Sequence, residues 1–461
     1  MGGFDPGLHF ARVGGDPVRD AFPARRPVPP WNGRSPVAAE EIGSRWERAL
    51  SSAPTARKRL AYVHVPFCAN HCLFCGFYRS PARPEALDAY ASLVIAELDL
   101  EASRPGVSGA PVHAVYLGGG TPTALAAGEL ARLLRALRHR LPLAPDCEIT
   151  VEGRVLHFDP EKIDACLDAG ANRFSIGVQT FDTAVRRHQG RRTSREELVR
   201  FLEALRDRER AAIVFDLLIG LPGQTRDVWR RDLETCIELE PDGVDLYALN
   251  VFPGTPLHRA IEAGKSEAAS PLVEIGSFYA EGVERLMAAG WRQISNSHFA
   301  RTTRERNLYN LLIKQGADCL AYGAGAGGSL GRLSYSIEPD PERWAAAIEG
   351  GSKPLVAMRE AGPAQAVHDA IVAGLEQGRL DLARARVPEI ERIEPLLAQW
   401  HAAGLLEDGG PVLRLTTAGR FWSTNLARAL ADFLAPAATG ASSPLRGAQA
   451  FSSLATQRTS A

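Results

Sequence analysis

Between residues 61 and 250 this chain repeats one pattern: a short β-rich run, then a helix-length amphipathic stretch. The runs are AYVHVPF (61–67), VHAVYLGGG (112–120), EITVEGR (148–154), RFSIGVQT (173–180), IVFDLLIG (213–220) and VDLYALN (244–250). Segments such as PEALDAYASLVIAELDLEASR and SREELVRFLEALRDRER lie between them, with apolar residues at three- and four-residue spacing. Strand, helix, strand at this rhythm predicts parallel βα units, because parallel neighbours need a long crossover between them. Six such units in a row predict an α/β fold, a partial or full TIM-like (β/α) barrel rather than a sandwich. Right-handed crossovers then put every strand C-terminus at one end. In barrels that end carries the active site.

Residues able to do chemistry gather at that end. After the first run comes PFCANHCLFCGFY, with Cys68, Cys72 and Cys75 in a C-x-x-x-C-x-x-C arrangement. Three thiolates so close can wrap one face of a 4Fe–4S cluster, since such clusters are held by cysteine sulfur. A four-iron cluster with three cysteines keeps one iron open for a substrate or cofactor. A zinc site is the competing reading, with His64 and His71 nearby, but zinc sites usually pair two C-x-x-C halves or add histidines at set spacing. The second run ends in Gly118-Gly119-Gly120-Thr121-Pro122-Thr123. Glycines let a backbone approach a ligand closely, and the run lacks the G-x-G-x-x-G spacing of a dinucleotide site. Glu152 and Arg154 close the third run, Gln179 the fourth, and Asp216 lies in the fifth. Carboxylates amid apolar strands are expensive to bury unless paired or used, so Glu152 and Asp216 are either functional or partners of Arg154 and Arg173.

Composition removes several classes. At 461 residues and a net charge of −1, the chain offers no field for nucleic acid or an anionic membrane. Seven cysteines, four of them scattered singly (Cys147, Cys166, Cys236, Cys319), do not make a secreted disulfide scaffold. The N-terminus has no apolar run for a signal peptide or a membrane span, so a reducing cytoplasm is the expected compartment.

The remainder divides by character. Residues 1–55 form a Pro/Gly-rich arm that includes Trp31, expected to be partly ordered, and the barrel core covers 56–300. Residues 291–310 mix His298 with Arg301, Arg304 and Arg306; they read as a loop across the barrel mouth offering cations to a polyanion, or as a surface loop paired to acids. Within 301–355 the glycine-rich stretch 316–331 predicts tight turns near the same mouth. Residues 356–435 outline a winged-helix-like module, two short strands flanking Gly409-Gly410 among helices. Without a basic stripe it reads as a lid or packing domain rather than a DNA reader. The Ala/Ser/Gly-rich tail, 436–461, is expected to be disordered.

The cysteine loop, with Tyr62 ahead of it and Phe74 just before Cys75, resembles radical S-adenosylmethionine (SAM) enzymes, in the superfamily of oxygen-independent coproporphyrinogen III oxidase. The resemblance runs from about residue 55 to 432. It implies a partial (β/α)6 TIM-like barrel and a 4Fe–4S cluster on Cys68, Cys72 and Cys75, with SAM on the open iron. SAM contacts carried over by motif position are Tyr62, Phe74, Gly119, Gly120, Thr121, Glu152, Gln179, Arg191 and Asp216. One departure is informative: the oxidases place a fourth cysteine two residues after the third, and here that position is Phe77. The segments CGFY, EGRVLHFD, NRFSIGVQTFDTAVRR and ISNSHFARTTRERNLYN are similar instead to the haem-utilisation branch (HutW), related to anaerobilin synthase. That branch implies SAM-dependent methylation and opening of haem to a linear tetrapyrrole with iron release. It also implies an electron donor such as a flavodoxin or a reductase. Arg301, Arg304 and Arg306 become candidates for the haem propionates, and His298 or His64 for contact with haem iron. A haem chaperone and a porphyrinogen oxidase are the alternatives within the same superfamily.

Overall fold

The six apolar runs become six parallel strands: β1 (Arg59–Val65), β2 (Val112–Gly119), β3 (Leu143–Gly153), β4 (Arg173–Gln179), β5 (Ala212–Ile219) and β6 (Gly243–Ala248), hydrogen-bonded in that order. They come from a computed structural model that describes residues 6–29, 32–55, 58–78, 80–407 and 410–435. Every residue of β1 is buried, as expected of a parallel strand covered on both faces.

A helix follows each strand: α1 (Pro84–Glu101), α2 (Ala127–Arg140), α3 (Pro160–Asp168), α4 (Arg195–Arg206), α5 (Arg226–Leu239) and α6 (Leu272–Ala288). Three of them start on a side-chain cap, from Asp159, Ser194 and Thr225. At α4, for example, Ser194 accepts from the Glu197 amide while Glu197 accepts from the Ser194 amide, a reciprocal cap on two otherwise unpaired donors.

The barrel is open. β6 pairs onward with the antiparallel strand His298–Ala300, and β1 pairs on its other side with a parallel strand, Asp318–Tyr322. From there the sheet continues antiparallel through Gly327–Leu330, Leu333–Ile337 and Leu355–Ala361 to Arg34–Pro36. One expectation is corrected here. Residues 316–331 are not a set of tight turns, since most of them are strand; their glycines serve close packing. A Cβ on Gly328 would sit 2.5 Å from the Cys319 carbonyl and 2.6 Å from the Tyr335 ring. One sheet also runs straight across the expected boundary at 300.

The N-terminal segment is built into the fold. Pro17–Asp20 packs on α6, and Ile42–Ser51 packs against Leu355–Ala361. Further contacts tie the segment to the C-terminal module, which holds α-helices Gln365–Glu376, Glu394–Ala402, Thr417–Phe421 and Ser423–Phe433. Gln399 accepts from the Ala11 amide, and the Trp400 and Trp422 indoles donate to the carbonyls of His9, Pro17 and Val18. The Arg25 guanidinium lies 4.3 Å from the Phe421 ring centre. In this module Val412–Arg414 pairs with Arg379–Asp381, while the expected hairpin around the two glycines contributes the single bridge Leu406–Leu415. Among the described residues no helix is long and apolar enough to cross a membrane. Trp31, Gly409 and the tail 436–461 lie outside the described residues.

Candidate active site

At the C-terminal ends of the strands a cavity of about 180 Å³ opens between the cysteine loop and the strand tips. All of the site residues expected from the sequence line it except Tyr62: Cys68, Cys72, Phe74, Cys75, Gly119, Gly120, Thr121, Glu152, Gln179, Arg191 and Asp216.

The glycine turn and the cysteine loop are fitted to each other. The Gly120 amide donates to the Val65 carbonyl at 2.8 Å, and a Cβ on Gly120 would lie 2.7 Å from the Phe67 carbonyl oxygen. Gly119 has φ +109°, a conformation that L side chains rarely adopt. Thr121 Oγ1 then reaches Cys68 Sγ at 3.3 Å. Farther along the loop, Asn70 donates to the Gly190 carbonyl and accepts from Arg154.

The opposite wall is charged. Arg191 is buried, donates to the Gly177 carbonyl and lies 5.6 Å from the Phe74 ring centre. Burial pulls its pKa below the usual arginine value, and Cys72 acts in the other direction. Asp216 is held by Ser175 Oγ at 3.1 and 3.2 Å. Gln179 ends β4 at φ +70°, beside a register shift in the ladder to β5. A non-glycine residue held there stores local strain, a recurrent mark of ligand sites.

The donor set decides between a cluster and zinc. His71 packs 4.2 Å from Tyr78, ring centre to ring centre, and its Nε2 contacts the Cys75 carbonyl at 3.1 Å. His64 Nδ1 contacts the Tyr62 hydroxyl at 3.0 Å. Among the described residues no three His, Cys, Asp or Glu side chains converge on a single ion. Three cysteines in one cavity wall, with both nearby histidines bonded elsewhere, suit a polynuclear cluster, where each takes a different iron. Burial pushes Cys68 upward and Cys75 up to about 11, so thiolates here call for a cationic partner such as iron. The residues fit a 4Fe–4S cluster.

A family model described as the Radical SAM superfamily matches residues 62–236. A protein named anaerobilin synthase, from Escherichia coli, is 48% identical over 92% of this chain and 95% of its own. The chain belongs to the radical SAM superfamily. A protein named haem chaperone HemW, from Mycobacterium tuberculosis, is 32% identical over 80% of this chain and 94% of its own. The solved structure of coproporphyrinogen III oxidase (HemN) from Escherichia coli superposes with a TM-score of 0.72 over 84% of this chain and 93% of its own; at 22% identity this speaks for the fold.

Within this radical SAM fold several sequence expectations move. Tyr62 lies in the barrel lumen, its ring near those of Tyr116 and Tyr309. Residues 291–310 do not cross the mouth; they close the far end. Arg301 donates to the carbonyls of Glu240 and Pro241 ahead of β6, and Arg304 to those of Glu209 and Ala211 ahead of β5. Arg306 pairs with Asp146 near the start of β3. These guanidiniums satisfy carbonyls at strand starts, so they are not haem-propionate ligands at the mouth. His298 is buried between Asp245 at 3.0 Å and Glu305 at 3.2 Å, and neither it nor His64 lines the cavity; neither is positioned to meet haem iron. Tyr247 and Asn250, at the end of the sixth run, line the cavity and were not singled out in the sequence. The strand-end rule that located the other residues applies to them equally.

Proposed function

We propose that this chain is a radical SAM enzyme of anaerobic haem degradation. It methylates and opens the haem macrocycle to a linear tetrapyrrole and releases iron. The 48% identity to a protein named anaerobilin synthase, sustained over 92% of the chain, carries this reading. Phe77 supports it. Where the porphyrinogen oxidases have a further cysteine, this chain places an aromatic ring in the cavity wall, with Phe252 also in the wall and 39% exposed. Such rings form an apolar rest for a flat macrocycle.

Cys68, Cys72 and Cys75 would hold the cluster, and Phe74, Gly119, Gly120, Thr121, Glu152, Gln179, Arg191 and Asp216 would hold SAM. When bound, cluster and SAM supply one-electron chemistry that no side chain can. The chain's share is positioning. The Arg191 guanidinium matches a carboxylate, the Glu152 carboxylate an ammonium group, and Asp216, oriented by Ser175, can accept from hydroxyls. The glycine turn brings backbone to the ligand, and Cys68 and Cys72 sit buried beside it. An electron donor such as a flavodoxin or a reductase, and a cytoplasmic setting, complete the proposal.

The test is anaerobic incubation of reconstituted protein with haem, SAM and a reductant. Loss of haem absorbance with a linear tetrapyrrole in the mass spectrum is the expected result. Formation of 5′-deoxyadenosine with haem unchanged would overturn the substrate assignment. Stoichiometric haem binding without turnover would favour the chaperone reading, which the 32% relative represents.

A further inference from the structure

A cavity larger than the one at the cysteines lies elsewhere in the described residues. A chamber of about 530 Å³ lies between the sheet extension (Gly327–Leu330, Leu333–Ile337, Leu355–Ala361) and the helices Gln365–Glu376 and Ser423–Phe433. This volume lies within the range of small-molecule sites, roughly 300–1,000 Å³. Its wall has two characters. Val28, Ile313, Val372 and Leu375 make an apolar side. Lys314 and Glu376 pair with each other at 3.0 Å and Arg332 lies 3.8 Å from Glu360, which leaves Arg34 and Arg359 in the wall with Asp369. Several lining side chains also carry buried polar atoms with no hydrogen-bond partner: Gln365 Oε1, His368 Nε2 and Thr424 Oγ1. Native interiors rarely leave such atoms unpaired, and a ligand or ordered water is the usual remedy. A roomy, partly apolar chamber with excess guanidinium matches a large flat ligand with carboxylates at its edge.

The chamber stands behind the active site. Tyr309 is in its wall and packs on Tyr116, with ring centres 4.9 Å apart. The Tyr116 ring in turn lies 2.7 Å from where a Gly118 Cβ would be, and Glu152 of the cluster cavity lies at the same distance. A constriction of about 20 Å³, room for one water, shares Ala248 with the cluster cavity and Glu376, Ser423 and Thr424 with the chamber.

We propose that this chamber is a second tetrapyrrole site, separate from the cluster cavity, that binds a dicarboxylate tetrapyrrole through Arg34 and Arg359 against the apolar side formed by Val28, Ile313 and Val372. The ligand class rests on the haem reading above; the site itself rests on the chamber. Two sources share this chemistry, incoming haem and the outgoing linear product.

The test uses full-length reconstituted enzyme without SAM, titrated anaerobically with haem and, separately, with biliverdin as a linear dicarboxylate probe. Binding is followed by absorbance and tryptophan quenching. Val372→Trp fills the chamber and Arg34→Glu reverses charge at its wall. Each is expected to raise the Kd of at least one probe by tenfold or more, while 5′-deoxyadenosine formation from SAM and dithionite stays at the wild-type rate, which also shows the fold intact. Tighter binding of haem marks a loading site, and of biliverdin an exit site. Wild-type affinity for both probes in both variants overturns the chamber. If the wild type consumes haem in that case, only the chamber falls. If haem binding is variant-sensitive yet haem is never consumed when SAM and reductant are added, the chamber stands and the degradation reading falls.

Discussion

Strand β4 carries the two ends of the barrel on one short segment. At its start, Arg173 meets both carboxylate oxygens of Glu305 at 3.1 and 2.9 Å, and Glu305 also pairs with His298, which pairs with Asp245. At its end, Gln179 holds φ +70° beside the cysteine loop. Both ends are rich in arginine and carboxylate. Below, each charge has an opposite charge against it inside the chain. Above, Arg191, Glu152, Asp216 and the three thiols face a shared cavity. Residue type therefore does not separate structure from function here; the end of the barrel at which a residue stands does.

The comparison can be broken at either end. The largest effect is expected from Cys72→Ala. It should reduce both 5′-deoxyadenosine formation and haem loss to background, with the cluster absorbance gone and the urea midpoint of the cluster-free protein little changed. Retained turnover would refute the cluster role. At the lower end, Glu305→Ala strands the buried Arg173 and His298 charges, and should destabilise the fold by about 3–5 kcal/mol. Denaturant unfolding measures it, and activity per folded molecule should stay near wild type. Asp216→Asn keeps the shape of the upper end but weakens a charged hydrogen bond. A loss in kcat/KM for SAM of about 10- to 150-fold is expected, from about 1.5–3 kcal/mol, with unchanged unfolding.

Solution pH gives a finer cut. Burial works against a charged His298, yet Asp245 and Glu305 raise it from 6.5 to about 9. A group raised on folding stabilises fully below its unfolded value and loses that contribution as pH rises through the folded one. The urea midpoint should therefore fall between about pH 6.5 and 9, and His298→Gln should flatten that slope. The smallest effect belongs to Arg306→Ala. Its exposed pair with Asp146 is worth about 1 kcal/mol or less, and KM for haem should not move; a raised KM would return the far-end arginines to the substrate.

Much of this was legible in the sequence, for physical reasons. Parallel strands buried on both faces read as nearly unbroken apolar runs, so β1, β2, β4, β5 and β6 lie within about two residues of their expected positions. Strand-end chemistry followed from crossover handedness, and it gathered Glu152, Gln179 and Asp216 with the cysteines. What escaped depended on distant backbone. Arg304 is anchored by carbonyls 93 and 95 residues earlier, and no local pattern announces such partners. Gly327 and Gly328 read as turns because sequence alone does not show the neighbours that make a glycine strand useful.

The tie between the chain's beginning and its end has a consequence for synthesis. Ala11 bonds Gln399 across 388 residues. Translation runs at about 5–20 residues per second, so residues 9–25 leave the ribosome roughly 20–80 s before their partners exist. Residues 9–25 are thus among the last to dock, and until then Phe22 and the indole of Trp422, packed 5.4 Å apart in the finished protein, each wait for the other. A chain stalled before residue 400 would carry a complete set of barrel strands but would lack Trp400 and Trp422, on which this segment docks.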